Sequence, residues 1–301
     1  MSFPKKVDIL EACPRDGWQN HPVQIPTETK IKYIKKMIDY GAKRMDLTSF
    51  VSPKYVPQMA DAAAVVAGVS DYAKERGCRL YGLTLNGKGV ENAMKTDLEY
   101  VSFVLSVSRE HQIRNSRRTI EESRQAFRDL VPKAEGLNIQ LALPCVFGSP
   151  FGDEIDMDLV KDIIEEAFSL GIKEIGLADT AGVSTPAHTR EVLRAIKEYC
   201  DPDLTTIHLH DTYGMGMANA YVALEEGYSK FDASLGAMGG CPFVPGAKGN
   251  IAIEDLIHMC EAMGLETGYD LDAVCKTAVE MGEEIQAVID TCMTKVCAHH
   301  E

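Results

Sequence analysis

Two histidines two residues apart, His208 and His210, lie in the run T-T-I-H-L-H-D-T-Y-G from Thr205 to Gly214. Residues i and i+2 of a strand share a face. If that face opens into the mouth of a barrel, the two imidazoles converge about one strand repeat apart and suit a single divalent metal. A solvated or hydrogen-bonded His-x-His pair has the same spacing, so the metal reading depends on what else the chain delivers. The segment P-R-D-G-W-Q-N from Pro14 to Asn20 offers Arg15 and Asp16, and a second apolar stretch carries Asp46 followed by Thr48-Ser49-Phe50. A sixth ends at Asp179-Thr180, and Gly239-Gly240-Cys241-Pro242-Phe243, Gly246 and Gly249-Asn250 form a glycine-rich loop. A carboxylate, two imidazoles and an amide oxygen make a mixed set for an octahedral ion, for which Mg²⁺ or Mn²⁺ is a better match than structural Zn²⁺. Each residue also has a plainer reading. Arg15-Asp16 would serve as a salt bridge closing the barrel end, and Asp179 as a cap for the helix starting near Thr185 instead of a proton-relay group. Cys241 would serve as a small apolar residue, although a place between Gly-Gly and Pro is poor for a core position.

Such groups need elements that bring them to one place. The chain alternates short apolar stretches with helical patterns eight times. Strands are expected at Val7 to Cys13, Arg44 to Phe50, Arg79 to Leu85, Tyr100 to Ser106, Ile139 to Phe147, Glu174 to Thr180, Thr205 to Asp211 and Lys230 to Ala237. Helix starts are signalled by Pro26-Thr27 with Glu28, by Thr119 with Glu122 as a capping box, by Asp156 and by Thr185-Pro186. Gly41, Gly77, Gly136, Gly171, Gly227 and Gly264 fall where helices should stop. Strict alternation implies a parallel sheet, and eight units imply a closed TIM barrel of the α/β class, with chemistry at the C-terminal strand ends. The rival is a doubly wound open sheet, for which the first strand lacks a Gly-rich dinucleotide loop. Asp270 to Lys295 reads as one or two added helices. The expected organisation is one TIM-barrel domain over residues 1–301, with the barrel at about 5–265 and a C-terminal helical extension at about 266–301.

Composition narrows the partners. The 301 residues carry a formal charge of −14 and no basic stripe, which disfavours nucleic acid and anionic membranes. There is no apolar run near the roughly 20 residues of a membrane span. A CoA-type anion remains compatible, because helix N-termini and a few local Lys or Arg decide its binding. Nine cysteines without a framework of spacings fit reduced thiols, and Met1 to Lys6 has no apolar signal core, so a cytoplasmic protein is expected. Cys292 and Cys297 are close enough in sequence for a redox-sensitive link.

Four segments together, P-R-D-G-W-Q-N at Pro14 to Asn20, T-S-F-V-S-P-K-Y-V-P-Q-M-A-D at Thr48 to Asp61, H-L-H-D-T-Y-G at His208 to Gly214 and G-G-C-P-F-V-P-G-A-K-G-N at Gly239 to Asn250, resemble the 3-hydroxy-3-methylglutaryl-CoA lyase family of the DRE-TIM metallolyases. The resemblance runs from Val7 to about Asp272. It implies a metal-dependent carbon–carbon lyase that cleaves a 3-hydroxyacyl-CoA into acetyl-CoA and a keto acid such as acetoacetate. By resemblance, Asp16, His208 and His210 are metal ligands with Asn250 beside or within the shell. Arg15 stabilises developing enolate charge, and Cys241 is the acid/base thiol. Asp46 and Asp179 complete the expected catalytic set, and Arg15, Gln19 and Asn86 are expected to bind substrate. The expected partner is an acyl-CoA, and the expected assembly is a homodimer or higher homo-oligomer.

The chain also departs from that family. Asp46 stands where Glu is usual, Trp18 where Leu is common, and His21 where an acid is found. The loop Cys145 to Pro150 lacks a second Cys, and Ser106 to Thr119 is rich in arginine. These changes leave room for a related substrate such as citramalyl-CoA. A Claisen-condensing synthase, a 4-hydroxy-2-oxoacid aldolase and a barrel without catalysis are further readings. The Gly-Gly-Cys-Pro loop and the lack of a long C-terminal regulatory region weigh against the first two.

Overall fold

A computed structural model describes residues 3–240 and 249–297. The eight apolar segments become eight parallel strands: β1 (Asp8–Glu11), β2 (Arg44–Ser49), β3 (Arg79–Thr84), β4 (Tyr100–Val104), β5 (Asn138–Leu143), β6 (Glu174–Asp179), β7 (Thr205–Leu209) and β8 (Lys230–Ala233). They pair in chain order and close, with Asp8 to Glu11 in register with Lys230 to Ala233. The open-sheet alternative therefore falls. Around the barrel lie α1 (Thr27–Asp39), α2 (Ala62–Glu75), α3 (Gly87–Ala93), α4 (Arg109–Ser116), α5 (Ile120–Leu130), α6 (Met157–Ser169), α7 (Pro186–Lys197), α8 (Gly216–Glu225) and α9 (Ile253–Ala262), and α10 (Leu271–Ile285) and α11 (Cys292–Cys297) follow.

Most local signals act as read. Thr119 and Glu122 form the reciprocal capping box of α5, Asp156 accepts from two amides at the start of α6, and Thr185 caps α7. All six stop glycines have positive φ, the conformation glycine adopts without steric cost. Pro26 makes no side-chain cap, and the Thr27 hydroxyl donates instead to Asp61 at 2.8 Å. The strands end earlier than their apolar runs. After Glu11 the backbone coils into a π turn, and after Ala233 it enters a short 3₁₀ turn at Leu235–Ala237. In both places carboxylate side chains take over the hydrogen bonding that a ladder partner would have supplied.

The outward faces of the strands, among them Met45, Phe103, Leu141, Leu177, Ile207 and Phe231, are buried against the helices in one continuous core. The interior is different. At the N-terminal end Arg44 is 2 % exposed, donates to Thr206 Oγ1 at 2.9 Å and stacks near the Tyr81 ring, while Tyr81 donates to Glu174 at 2.9 Å. This polar plug fills the N-terminal end of the barrel, and the cavity lies above it, lined by residues toward the C-terminal strand ends. Cys13, Cys78, Cys200, Cys260, Cys275 and Cys297 are reduced thiols, so the expected Cys292–Cys297 link is not formed.

Two buried glutamates fix the backbone where β8 becomes the glycine-rich loop. Glu11 accepts from the amides of Cys13 (2.9 Å) and Leu235 (3.0 Å) and from the Tyr40 hydroxyl. Glu254, in the first turn of α9, accepts from the Gly236 amide (3.2 Å) and the Thr291 hydroxyl (2.8 Å), tying the C-terminal extension to the loop. Burial pushes Glu254 from its ordinary 4.5 up to about 7, against these hydrogen bonds. Between those values the folded protein holds a proton that the unfolded chain has released, so its contribution to stability is present below 4.5 and lost as pH rises toward 7. Glu254→Gln keeps a donor and an acceptor in place. Its thermal stability should fall less between pH 5 and 8 than that of the parent, by on the order of 1–3 kcal/mol over the window. Melting curves with identical slopes against pH would rule this out.

Candidate active site

The P-R-D-G sequence leaves β1 as a single π-helical turn, Cys13–Gly17. Both the Asp16 and Gly17 amides donate to Ala12 O (2.8 and 3.3 Å), and the Trp18 amide reaches Cys13 O at 3.0 Å. Such a turn inserts a residue into the helical ladder and re-aims the side chains around it, a device frequent at functional sites. Here it presents Arg15 and Asp16 together to the barrel mouth and sends Trp18 into the core, where it is 1 % exposed. Opposite them, the register of β2 against β3 slips between Asp46 and Thr48. A bulge of this kind redirects a side chain. The Arg15 guanidinium then lies between two carboxylates, Nε on Asp46 Oδ2 at 2.6 Å and Nη1 on Asp16 Oδ1 at 2.6 Å, with Nη2 2.5 Å from Asp46 Oδ2.

Strand β7 supplies the histidines on one face, as its period requires. Their Nε2 atoms stand 3.1 Å apart, and His210 Nε2 is 3.8 Å from Asp16 Oδ2. His208 Nδ1 contacts Asp232 Oδ2 of β8 at 3.2 Å. Asn250 is drawn in by an isolated antiparallel bridge to His210. Its Nδ2 donates to Asp16 Oδ2 (2.7 Å) and Met238 O (3.0 Å), while its buried Oδ1 has no partner among the described residues. This close packing explains the glycines. A Cβ on Gly239, which has φ 122°, would stand 2.6 Å from Asn250 Nδ2, and one on Gly249 would stand 2.4 Å from Gly239 O.

Burial would raise the carboxyl pKa of Asp16, but Arg15 and the two imidazoles overcome it and hold the group well below the carboxylate range. At Asp46 burial wins over the same Arg15, and the carboxyl rises to about 6. Burial disfavours the imidazolium of His208, yet the hydrogen bond and charge of Asp232 outweigh it and raise its pKa; burial lowers that of His210. The donor set fits a divalent ion on this chain's own geometry. Ligand atoms of Asp16, His208 and His210 lie within 4.8 Å of one another, and the Asn250 amide adjoins them through Nδ2 on Asp16, with its oxygen unpartnered among the described residues. Asp232, bonded to Nδ1, fixes the His208 tautomer that keeps Nε2 free for a metal.

These groups share a cavity of about 530 Å³ that Gln19 and Asn86 also line. Asn86 Oδ1 caps α3 by accepting from Gly89 N at 3.0 Å, and Gln19 Nε2 lies 3.3 Å from Asp16 Oδ1. Arg114, Arg117 and Arg118 from the arginine-rich segment stand at its rim with the exposed Tyr55. Asp179 does not line it. Both its oxygens accept backbone amides, from Val183 and Ser184 at 3.0 Å each, so the structure places it as the clamp of the turn before α7 and burial raises it to about 6. Cys241 lies outside the described residues, one position after Gly240 of the cavity lining. Trp18 and His21, expected to alter the substrate's surroundings, do not line the cavity: Trp18 is core, and His21 bonds Ile285 O at 2.7 Å. Sequence reasoning missed Asp232 and Glu11. The signal for Asp232 was a carboxylate inside the strand next to the histidine strand.

The HMGL-like family profile matches residues 6–280. Hydroxymethylglutaryl-CoA lyase YngG of Bacillus subtilis is 35% identical over 287 residues, 95% of each chain. The mitochondrial hydroxymethylglutaryl-CoA lyase of Bos taurus is 38% identical over 272 residues, 90% of this chain and 83% of the relative. The structure of an HMG-CoA lyase from Acinetobacter baumannii in complex with coenzyme A and 3-methylmalate superposes with a TM-score of 0.92 at 34% identity, covering 98% of this chain and 96% of that one.

Asp232→Asn keeps the size of the side chain but removes the carboxylate behind His208. Calorimetric titration with Mn²⁺ should show a metal affinity reduced by about 10-fold, the usual scale for such a partner. Unchanged affinity would mean that Asp232 only fills space.

Proposed function

Because the chain belongs to the HMGL-like family, we propose that it is a carbon–carbon lyase that cleaves 3-hydroxy-3-methylglutaryl-CoA into acetyl-CoA and acetoacetate, with Mg²⁺ or Mn²⁺ as the ion at its site. The observation that carries this reading is the convergence of Asp16, His208 and His210 in one cavity with the Arg15 guanidinium. The synthase and aldolase readings lose their ground, since relatives at 35% and 38% identity that cover 95% and 90% of this chain are hydroxymethylglutaryl-CoA lyases. Arg114, Arg117 and Arg118 give the rim of an otherwise acidic protein a local positive charge, which suits the phosphates of coenzyme A. The reduced thiols of Cys13, Cys78, Cys200, Cys260, Cys275 and Cys297 suit a reducing, cytoplasmic setting.

Asp16, His208, His210 and the Asn250 oxygen would hold the ion, which would polarise the substrate's hydroxyl and distal carboxylate and fix their orientation. The remaining work falls to the chain. Asp46 has one oxygen on Arg15 and the other, Oδ1, without a partner among the described residues. With a carboxyl shifted to about 6 it is ionised yet basic near neutral pH, and it takes the proton of the tertiary hydroxyl. The C2–C3 bond breaks, its electron pair passes to C2 and the thioester oxygen, and C3 becomes the ketone of acetoacetate. Arg15, charged under all working conditions and held in place by two carboxylates, stabilises the enolate oxygen. The thiol of Cys241 returns a proton to C2, giving acetyl-CoA.

Turnover of 3-hydroxy-3-methylglutaryl-CoA with acetoacetate identified as product tests the reading. Activity should vanish after exhaustive chelation and return with Mg²⁺ or Mn²⁺. Cys241→Ser should lower kcat by about 10²-fold with little change in KM, the typical worth of one acid/base group. Full activity in the chelated enzyme would end the metal part. A rise in KM at constant kcat would reduce Cys241 to a binding contact.

A further inference from the structure

Below the level of the metal ligands the cavity continues toward the polar plug as a blind recess. Its wall on β5 and β6 is made of Ala142, Gly176 and Ala178. A Cβ on Gly176 would meet Ala142 at 3.5 and 3.6 Å and Gln140 at 3.9 Å, ordinary contact distances, so space is left there. Polar Gln140 stands among these small residues. It is 6 % exposed and lines the same cavity, its Oε1 accepts the Ser102 hydroxyl at 2.8 Å, and its buried Nε2 has no partner among the described residues. A buried amide nitrogen left without an acceptor costs stability unless a ligand supplies one.

We infer that this recess is a specificity pocket for the fourth substituent of the substrate's C3, and that it favours a chain longer than methyl ending in a hydroxyl. The inference rests on the lyase reading, which fixes the other three. The hydroxyl and the carboxylate arm belong to the metal-binding residues, and the thioester arm leaves through the mouth toward Arg114, Arg117 and Arg118. Only the fourth group is free to descend past Ala142 and Gly176 to Gln140. A hydroxyl suits its end, because it accepts from Nε2 or, with the amide turned over, donates to the oxygen placed there. A second carboxylate suits it poorly. The cavity already holds Asp16, Asp46 and Asp232, and Arg15 is engaged by two of them.

The test compares kcat/KM for the 3-methyl substrate and for analogues carrying 3-butyl or 3-(3-hydroxypropyl) in place of methyl, the last two being nearly isosteric. The hydroxypropyl compound should exceed both others by about 10-fold or more, as one added or lost pocket contact discriminates. Gly176→Val, and the milder Gly176→Ala if the valine variant melts early, should lower the hydroxypropyl-to-methyl ratio by about 10-fold or more. Gln140→Leu should bring the hydroxypropyl-to-butyl ratio to about 1 or below. A parent enzyme that prefers methyl over both analogues, or ratios that neither substitution moves, overturns the pocket. If no thioester is cleaved, the lyase reading has failed, and calorimetric affinities of the same three thioesters for the Mg²⁺-loaded protein decide the pocket by the same order and the same ratios.

Discussion

The guanidinium of Arg15 between Asp16 and Asp46 is the contact on which the site depends. A single cation joins the first strand to the second at the barrel mouth and serves two carboxylates that are both nearly buried. Taking the arginine away would leave two nearly buried carboxylates without their cation, which is strongly destabilising, so both acids depend on it. The same contact separates the acids in character. Asp16, which also faces two imidazoles, stays fully ionised and suits a metal. Asp46, farther from other positive charge, keeps a carboxyl near neutral that suits proton transfer.

Everything next to this contact works to hold it still. The π turn sets Arg15 and Asp16 side by side, and the bulge in β2 turns Asp46 toward them. Glu11 anchors the amides at the start of the π turn and at the end of β8 with one carboxyl group, which couples the two ends of the closed barrel where the chemistry lies. Asn250 reaches Asp16 only because Gly239 and Gly249 let two stretches of backbone approach within the space a side chain would fill. Positioning of this kind is what lets a site bring oriented charges to a reaction without reorganising for it.

The barrel interior is graded from end to end. Arg44, Tyr81 and Glu174 seal it below, small residues of β5 and β6 leave room in the middle, and ligand groups with a positive rim stand above. The grading follows from inward-facing residues alternating with core-facing ones along each strand. Substitutions on inward positions therefore reshape the cavity while the hydrophobic layer between strands and helices is left alone.

Much of this was legible in the residues alone. Eight apolar stretches separated by capped, glycine-terminated helices imply a parallel sheet covered by helices, and the pairing of β1 with β8 decides that it closes into a barrel. The i, i+2 spacing places His208 and His210 on one face. The motifs around Arg15, Asp16 and Asn250 name the remaining groups of the candidate site. What the sequence did not contain is which polar group each side chain meets, since that depends on register and backbone twist between segments distant in the chain. Asp179 reads equally well as a relay or as a clamp, and only the tertiary structure, with both oxygens on backbone amides, decides for the clamp. Asp232 and Glu11 carry no motif, and their roles exist only because β8 lies against β7 on one side and β1 on the other. Trp18 looked like a neighbour of the substrate by its place in the motif, but the π turn rotates it into the core while presenting Arg15 and Asp16 to the mouth, a change of direction that local sequence does not express.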